Sequence, residues 1–527
     1  MRNIRLVLTS ASISALIAVL LLTASPTSAV MNGGILRLPF GDPSTLDPAV
    51  VGGFTGYWGY ELALQVFDGL VQLDANSNVL PAIASSWIAS PDARVFTFTL
   101  RNDVYFHNGR QVTSADFVYS WNRAIAQSGA NGYTYLTSSI YAFTAPLNFT
   151  FVVTLTQSQS SFLSIAALPL FSVIPSESAG TIGTQPIGTG AFKFVSWTHG
   201  AGGKIVLQAN PNYFGGVPYL AGVEYKYSPT TSAQWADFQA NNLDVTRIPT
   251  STWDSVKTDP NVITQTNMYM RGLGIDTVAF PDVNVRRAFQ QSIDRAGMVN
   301  DPLITVYTGT RPIAYGAVSP GMGAYDNSDI SIAFNPTNAL ALLAAAGWTD
   351  TNADGILDNG AGTNLTILLY GINNRVRQRL VNDLSNIGGS GVGASVTVTT
   401  NQSAPGIKMF MDLWVSEYPD PADDLSGYYT SQYYASETHY NSAAFNSFYN
   451  AGLTSIDPAT RNAAFHAADS QIVITDAIRL PIFYSTATPM MKKSYVKGLQ
   501  RSTWSGYPML KSVWLDLNFL HLPLVLR

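Results

Sequence analysis

Apolar and polar positions alternate in short runs through the first part of the chain. Residues 95–100 (Val-Phe-Thr-Phe-Thr-Leu) set apolar side chains against threonines, the two-residue period of a half-buried strand. Arg101-Asn102-Asp103 reads as a turn, and Val104-Tyr105-Phe106 resumes a strand before His107-Asn108-Gly109. At Thr113 the period changes. Thr113 with Asp116 three positions on predicts a capped helix start, the acid lying beside the positive end of the helix dipole. Phe117, Trp121 and Ile125 follow at four-residue spacing and form one apolar stripe. Residues 148–155 and 204–208 predict further strands, with Gly188-Thr189-Gly190 and Gly215-Gly216 as tight turns.

The second half mixes its periods. Residues 283–299, 336–346 and 459–474 predict helices, the middle one opening on Pro336 and stopping at Gly347. Strands are predicted between them at 365–370 and 395–400. Helices alternating with strands argue for an α/β unit with a mixed or parallel sheet, whereas the first half is richer in β-structure. There is no internal repeat and no low-complexity linker.

Length and composition narrow the class. A chain of 527 residues exceeds what one hydrophobic core supports, so two or three lobes are expected. Charged residues make up only 12%, about half the usual share. The apolar residues are nevertheless scattered in short runs, and the one long uncharged apolar stretch lies at the N-terminus. A net charge of −5 with no basic footprint argues against nucleic acid as a partner. The absence of cysteine removes disulfides, thiolate zinc sites, a cysteine nucleophile and a lipid-bearing cysteine together. Residues 1–29 carry Arg2 and Arg5, an apolar segment at 11–22 and the small residues Thr27-Ser28-Ala29, the three parts of a secretory signal cleaved after Ala29. The mature protein is therefore expected to be extracytoplasmic (periplasmic, secreted or cell-surface associated) and not a lipoprotein. The apolar residues 517–527 are open to two readings, a final strand or a surface-association segment.

Catalytic motifs are missing. No GxxxxGK[ST] loop, HExxH or GxSxG elbow occurs, and the five histidines are isolated from one another. Gly389, Gly391 and Ala394 fit a dinucleotide pattern but lead into a strand, not a helix. One acid-rich loop stands out. Asp350, Asn352, Asp354 and Asp358, with Gly355 at the turn, match the front of a calcium loop and predict a structural calcium site, although Ala361 occupies the twelfth position where a bidentate Glu is needed. No other cofactor is expected.

Several segments then occur in a telling order: Leu46-Asp47-Pro48, Phe67-Asp68-Gly69-Leu70, the run from Pro81 to Trp87, Phe96 to Arg101, Val104 to Gly109 and Val112 to Trp121. Gly188 to Phe192, Asn210 to Phe214, Phe280 to Ala288, Ile293 to Arg295, Trp414 to Pro421 and His439 to Phe445 follow. This series resembles the family 5 extracellular solute-binding proteins, the oligopeptide-, dipeptide- and nickel-binding receptors of ABC importers. The resemblance implies an α/β, periplasmic-binding-protein-like (type II) bilobed receptor with an additional β-rich lobe. It implies lobe I at 30–60, 190–276 and 480–527, an extra lobe II at 61–189 and lobe III at 277–479, closing over a ligand like a hinge. It further implies a monomeric, non-enzymatic receptor for a peptide or other bulky small solute, with ABC permease subunits as its membrane partner. An oligosaccharide or nickel complex is the alternative cargo, and a secreted hydrolase the alternative class.

The same resemblance supplies candidate ligand residues. Trp414 and, three positions later, Glu417 stand where peptide-binding relatives carry a cleft tryptophan and the acid that pairs with the peptide's α-ammonium group; here Glu replaces Asp. Asp420 follows the pattern too, as ligand residue or loop brace. Tyr269 falls on the cleft-lining segment, and Gly53 and Phe54 fall where relatives offer backbone groups to an extended ligand. The segment between Val398 and Trp414 is shorter than in peptide receptors and keeps one basic residue, Lys408, so recognition of a ligand's carboxylate end is not expected. Tyr428, Tyr429, Tyr433, Tyr434 and Tyr440 either offer stacking faces to sugar rings or pack the lobe.

Overall fold

A computed structural model of the chain describes residues 33–50, 57–372, 374–430 and 432–516. The leader, Gly53, Phe54 and the apolar residues 517–527 lie outside these described residues. Three large hydrophobic cores, each built on its own sheet, organise the fold, and a fourth, smaller one gathers Phe238, Leu243, Ile248, Trp253 and Met491.

The first sheet orders the strands Ile35–Phe40, Gly222–Tyr227, Lys204–Ala209 and Phe192–Thr198, the first pair parallel and the others antiparallel. Alternation in Ile35–Phe40 sends Leu36, Leu38 and Phe40 inward and leaves Ile35 exposed. The helix Tyr57–Val66 adds Leu62, Ala63 and Val66 to this core.

The second sheet is antiparallel, in the order Ala84–Ala89, Val95–Leu100, Thr150–Leu155 and Ile140–Leu147. Phe96, Phe98, Leu100, Phe151, Val153 and Leu155 face the helix Ser114–Ser128, whose Phe117 and Trp121 are fully buried. The expected cap is present: Thr113 N–H donates to Asp116 Oδ2 at 2.9 Å, and Arg110 clamps the same carboxylate. Val104–Phe106 is not a strand. Phe106 N–H returns to Arg110 O and only a Tyr105–Gln111 bridge forms, because Gly109 at φ 90° turns the chain back at once.

The third sheet has six strands, in the order Val245–Arg247, Arg479–Lys492, Val262–Ile275, Met409–Val415, Thr366–Tyr370 and Ser395–Thr399. The pairings of Thr366–Tyr370 with its two neighbours are parallel and the rest antiparallel. One expected helix breaks and another changes pitch. Residues 283–299 form Val283–Ser292 and Arg295–Asn300, because Ile293 is extended and the Asp294 carboxylate caps Gly297 N–H at 2.8 Å. The helix Pro458–Ser470 ends in a π-helical turn, Gln471–Thr475.

The two 14-residue strands Val262–Ile275 and Arg479–Lys492 join the first and third units. Met270, Leu273 and Ile275 with Leu480, Ile482 and Tyr484 belong to the third core, while Met490 packs in the first. Their pairing slips between Thr266 and Met270. The cores thus change over within segments that the resemblance assigns to lobe I.

Several signature segments meet at one buried acid between the first two units. Asp68 accepts hydrogen bonds from Thr189 Oγ1 (3.1 Å) and Tyr213 Oη (3.1 Å) and pairs with Lys511 (2.9 Å). Gly188 and Gly190 lie so close to the carbonyls of Val66 and Gln65 that neither has room for a Cβ. His107 Nε2 bonds Gly190 O at 3.0 Å, and burial pushes its pKa down to about 4, so it stays neutral. These motifs fix the lobes to one another.

Candidate ligand-binding site

The strand Met409–Val415 runs into a turn and the short helix Pro421–Ser426, which together hold four carboxylates, Glu417, Asp420, Asp423 and Asp424. Asp424 is buried and accepts from Trp414 Nε1 (2.7 Å), Ser416 Oγ (2.6 Å) and Ser319 N–H (2.6 Å). The Trp414 ring is thereby fixed in orientation, against Tyr434 at a centroid distance of 5.5 Å. Asp423 is also buried and accepts Glu417 N–H at 2.6 Å. Asp420 caps the helix Pro421–Ser426 through Ala422 N–H at 3.0 Å and forms an ion pair with Arg461. Of its two expected roles, Asp420 has the bracing contacts.

Glu417 reaches across the lobes. The Tyr135 hydroxyl donates to its Oε2 at 2.7 Å. Trp504 Nε1 donates to Ser416 O at 3.0 Å, and its ring packs against both the second and third cores. Tyr60 stacks on Tyr507 at 5.3 Å and meets the Trp504 edge at 5.8 Å, and its buried hydroxyl has no partner among the described residues. Tyr269 is the register partner of Val415 and Met270 that of Trp414, so Tyr269, Trp414 and Glu417 lie on adjoining backbone.

The turn is short of cations. Burial raises the Asp423 pKa well above the ordinary aspartate value, with the charge of Asp424 adding to it. Burial also pushes Asp424 up to about 6 against the three hydrogen bonds that favour its ionised form. Arg461 is committed to Asp420 and Ser160. Such a site favours an incoming positive charge.

Other expectations resolve differently. Tyr428, Tyr434 and Tyr440 are buried in the third core and Tyr429 packs on Tyr449, so the tyrosine-rich run is mainly packing, with Tyr433 half exposed. Lys408 is tied to Thr366 O at 2.8 Å, away from the turn. In the expected calcium loop, Asp350 accepts Asp354 and Gly355 N–H, Asp354 accepts Ile356 N–H, and Asp358 accepts Thr351 and Gly360 N–H. The side chains close the loop on its own backbone, and among the described residues no three His, Asp or Glu side chains converge as a metal site. These contacts are those of a polar turn.

Sequence reasoning missed Tyr60, Tyr135, Asp423, Asp424 and Trp504. Asp423 and Asp424 stand openly in the helix that Asp420 caps, but nothing local marks Tyr135, which is 282 residues from Glu417.

The fold agrees with comparison to known proteins. The sequence model described as bacterial extracellular solute-binding proteins, family 5 Middle, matches residues 78–436. The chain belongs to this family. It is 23% identical to the dipeptide-binding protein DppE of Bacillus subtilis over 90% of each chain. With the periplasmic oligopeptide-binding protein OppA of Escherichia coli it shares 25% identity, over 82% of this chain and 84% of that one. The match to the oligopeptide-binding protein AppA of Bacillus subtilis, at 27% identity, spans 60% of that relative. Among solved structures, HbpA2 from Haemophilus parasuis superposes with a TM-score of 0.79 at 21% identity, covering 92% of this chain and all of that one. The unliganded open form of the periplasmic murein tripeptide-binding protein MppA gives 0.78 at 20% identity, over 93% and 99%. The family 5 fold is a bilobed, type II binding-protein architecture. Members of the family are periplasmic or extracellular, and among the described residues of this one no helix is long and apolar enough to cross a membrane.

Proposed function

We propose that this family 5 protein is the extracytoplasmic receptor of an ABC importer, a non-enzymatic monomer. It captures a peptide-like solute between its lobes and presents it to the permease subunits. The observation that carries this reading is the cation-poor turn in which Glu417, braced by Tyr135, stands beside buried Asp423 and Asp424. A peptide's α-ammonium group supplies the missing charge. The names of the relatives agree with this cargo, since they include dipeptide- and oligopeptide-binding proteins and complexes with a nonapeptide and with the peptide STSA. With no cysteine in the chain, retention at the cell surface does not use a lipidated cysteine.

Thermal-shift measurements against pooled peptides, cello-oligosaccharides and nickel complexes test the cargo. Peptides are expected to raise the Tm without being consumed, and N-acetylation is expected to abolish the shift. Glu417→Ala is expected to lose about tenfold or more in peptide affinity, the scale of one charge-assisted contact. Stabilisation by sugars or nickel complexes alone, or product formation, overturns the reading.

A further inference from the structure

A cavity of about 390 Å³ lies where the second and third lobes meet, and none of Trp414, Glu417, Asp423, Asp424 and Tyr135 lines it. Its walls are mostly apolar. Trp87 comes from the strand Ala84–Ala89 and Leu163 from the short helix Phe162–Ala166, both packed against the second core. Ile456, 47% exposed, stands in the link between the helices Ala443–Thr454 and Pro458–Ser470. The two sides are fastened together by Ser160, whose N–H donates to Leu453 O at 2.9 Å and whose Oγ donates to Gly452 O at 2.8 Å. One charged pair interrupts the apolar lining. Asp420, 5% exposed, holds Arg461 there, and Arg461 Nε donates to Ser160 Oγ at 2.8 Å. The pair meets at a single point: Arg461 Nη2 donates to Asp420 Oδ1, the oxygen that also accepts Ala422 N–H at 3.0 Å. Asp420 Oδ2 and Arg461 Nη1 have no partner among the described residues, and neither is sealed from solvent. A two-pronged ion pair would have used both.

An open carboxylate oxygen beside an open guanidinium nitrogen is complementary to a ligand that carries both charges on one carbon. With the ligand carboxylate at Arg461 and its ammonium group at Asp420, four charges alternate in sign and sum to zero. A lone anion would meet the charge of Asp420, and a lone cation that of Arg461. The volume falls within the range of small-molecule sites, and the walls of Trp87, Leu163 and Ile456 reward a large apolar side chain. We propose that this cavity is a second binding site, for a free amino acid with a large aliphatic or aromatic side chain. The site is separate from the cleft turn and does not rest on the peptide reading. Asp420 also caps the helix that carries Asp423 and Asp424, so an occupant sits against the brace of the ligand turn.

NMR titration of the mature protein with L-phenylalanine tests the proposal, with glycine, phenylacetate and phenethylamine as comparison ligands. Phenylalanine is expected to move the indole N–H resonance of Trp87, assigned with Trp87→Phe, and to bind about tenfold or more tighter than each of the other three. Ile456→Asp, which sets a carboxylate on the apolar wall at an exposed position, and Arg461→Lys are each expected to weaken phenylalanine binding by about tenfold. Phenethylamine or phenylacetate binding as tightly as phenylalanine overturns the assignment to a zwitterion. Binding that is lost in Glu417→Ala and kept in Ile456→Asp places the ligand at the cleft turn and overturns the second site. No shift with any of the four ligands overturns the proposal and leaves the peptide reading standing. The comparison of ligands on the unmutated protein requires no variant to fold.

Discussion

Glu417 and Asp424 differ in what surrounds them more than in what they are. Glu417 meets the second lobe through one hydroxyl, whereas Asp424 is enclosed by Trp414, Ser416 and Ser319, which spend its lone pairs on holding the turn. Burial nevertheless lifts Asp424 to about 6, so it takes up a proton as pH falls through that value, and it raises Asp423 as well. A bound ammonium group favours their ionised forms. Peptide affinity is therefore expected to fall as pH drops through about 6, by up to about tenfold per pH unit for the proton that Asp424 takes up. Calorimetry between pH 4.5 and 7.5, a range in which a peptide's α-amino group (pKa about 8) stays charged, checks this; a flat profile contradicts the coupling. Glu417 and Trp414 were legible because they stand in a recognisable run. Tyr135 was not, since it meets Glu417 only through a chain reversal over 282 residues.

Elements were read well where one period governs. Val95–Leu100 and Ser114–Ser128 follow from alternation and from a capped apolar stripe, and both form. The long strands Val262–Ile275 and Arg479–Lys492 were not predicted, because each passes from one core to another and its inward positions change along its length. Their union with Met409–Val415 is secured by the buried pair Arg479–Asp412. Arg479→Met leaves a poorly solvated carboxylate unpaired and is expected to cost about 3–5 kcal/mol. The double variant Arg479→Met with Asp412→Leu, which removes both charges, is expected to recover most of that loss. Urea unfolding of the two variants measures the difference, and equal destabilisation by single and double changes argues against a charge effect.

Across the whole molecule the second lobe is bound to both others. Asp68 and His107 tie it to the first. Tyr418 lies in its core, and Ser160 N–H donates to Leu453 O at 2.9 Å while Arg461 bonds Ser160 Oγ at 2.8 Å, tying it to the third. Hinge closure of the first unit on the third is expected to bend the two long strands, whose pairing shifts at three places, one of them between Thr266 and Met270. A saturating peptide is expected to reduce the radius of gyration toward the compact value of about 24 Å for a chain of this length, as read by small-angle scattering. An unchanged radius on binding contradicts hinge closure.

The sequence alone determined the class of molecule: several cores, from length, and the family, from ordered short segments. Local patterns suffice for these because capping, alternation and turn chemistry act within a few residues. The tertiary structure decided which charges meet. It turned the predicted calcium ligands onto their own backbone, buried most of the tyrosine run, gave Asp420 to Arg461, and brought Glu417 to Tyr135 and Arg311 to Phe483. Electrostatic complementarity depends on distance and burial, and neither exists along a chain until the fold closes.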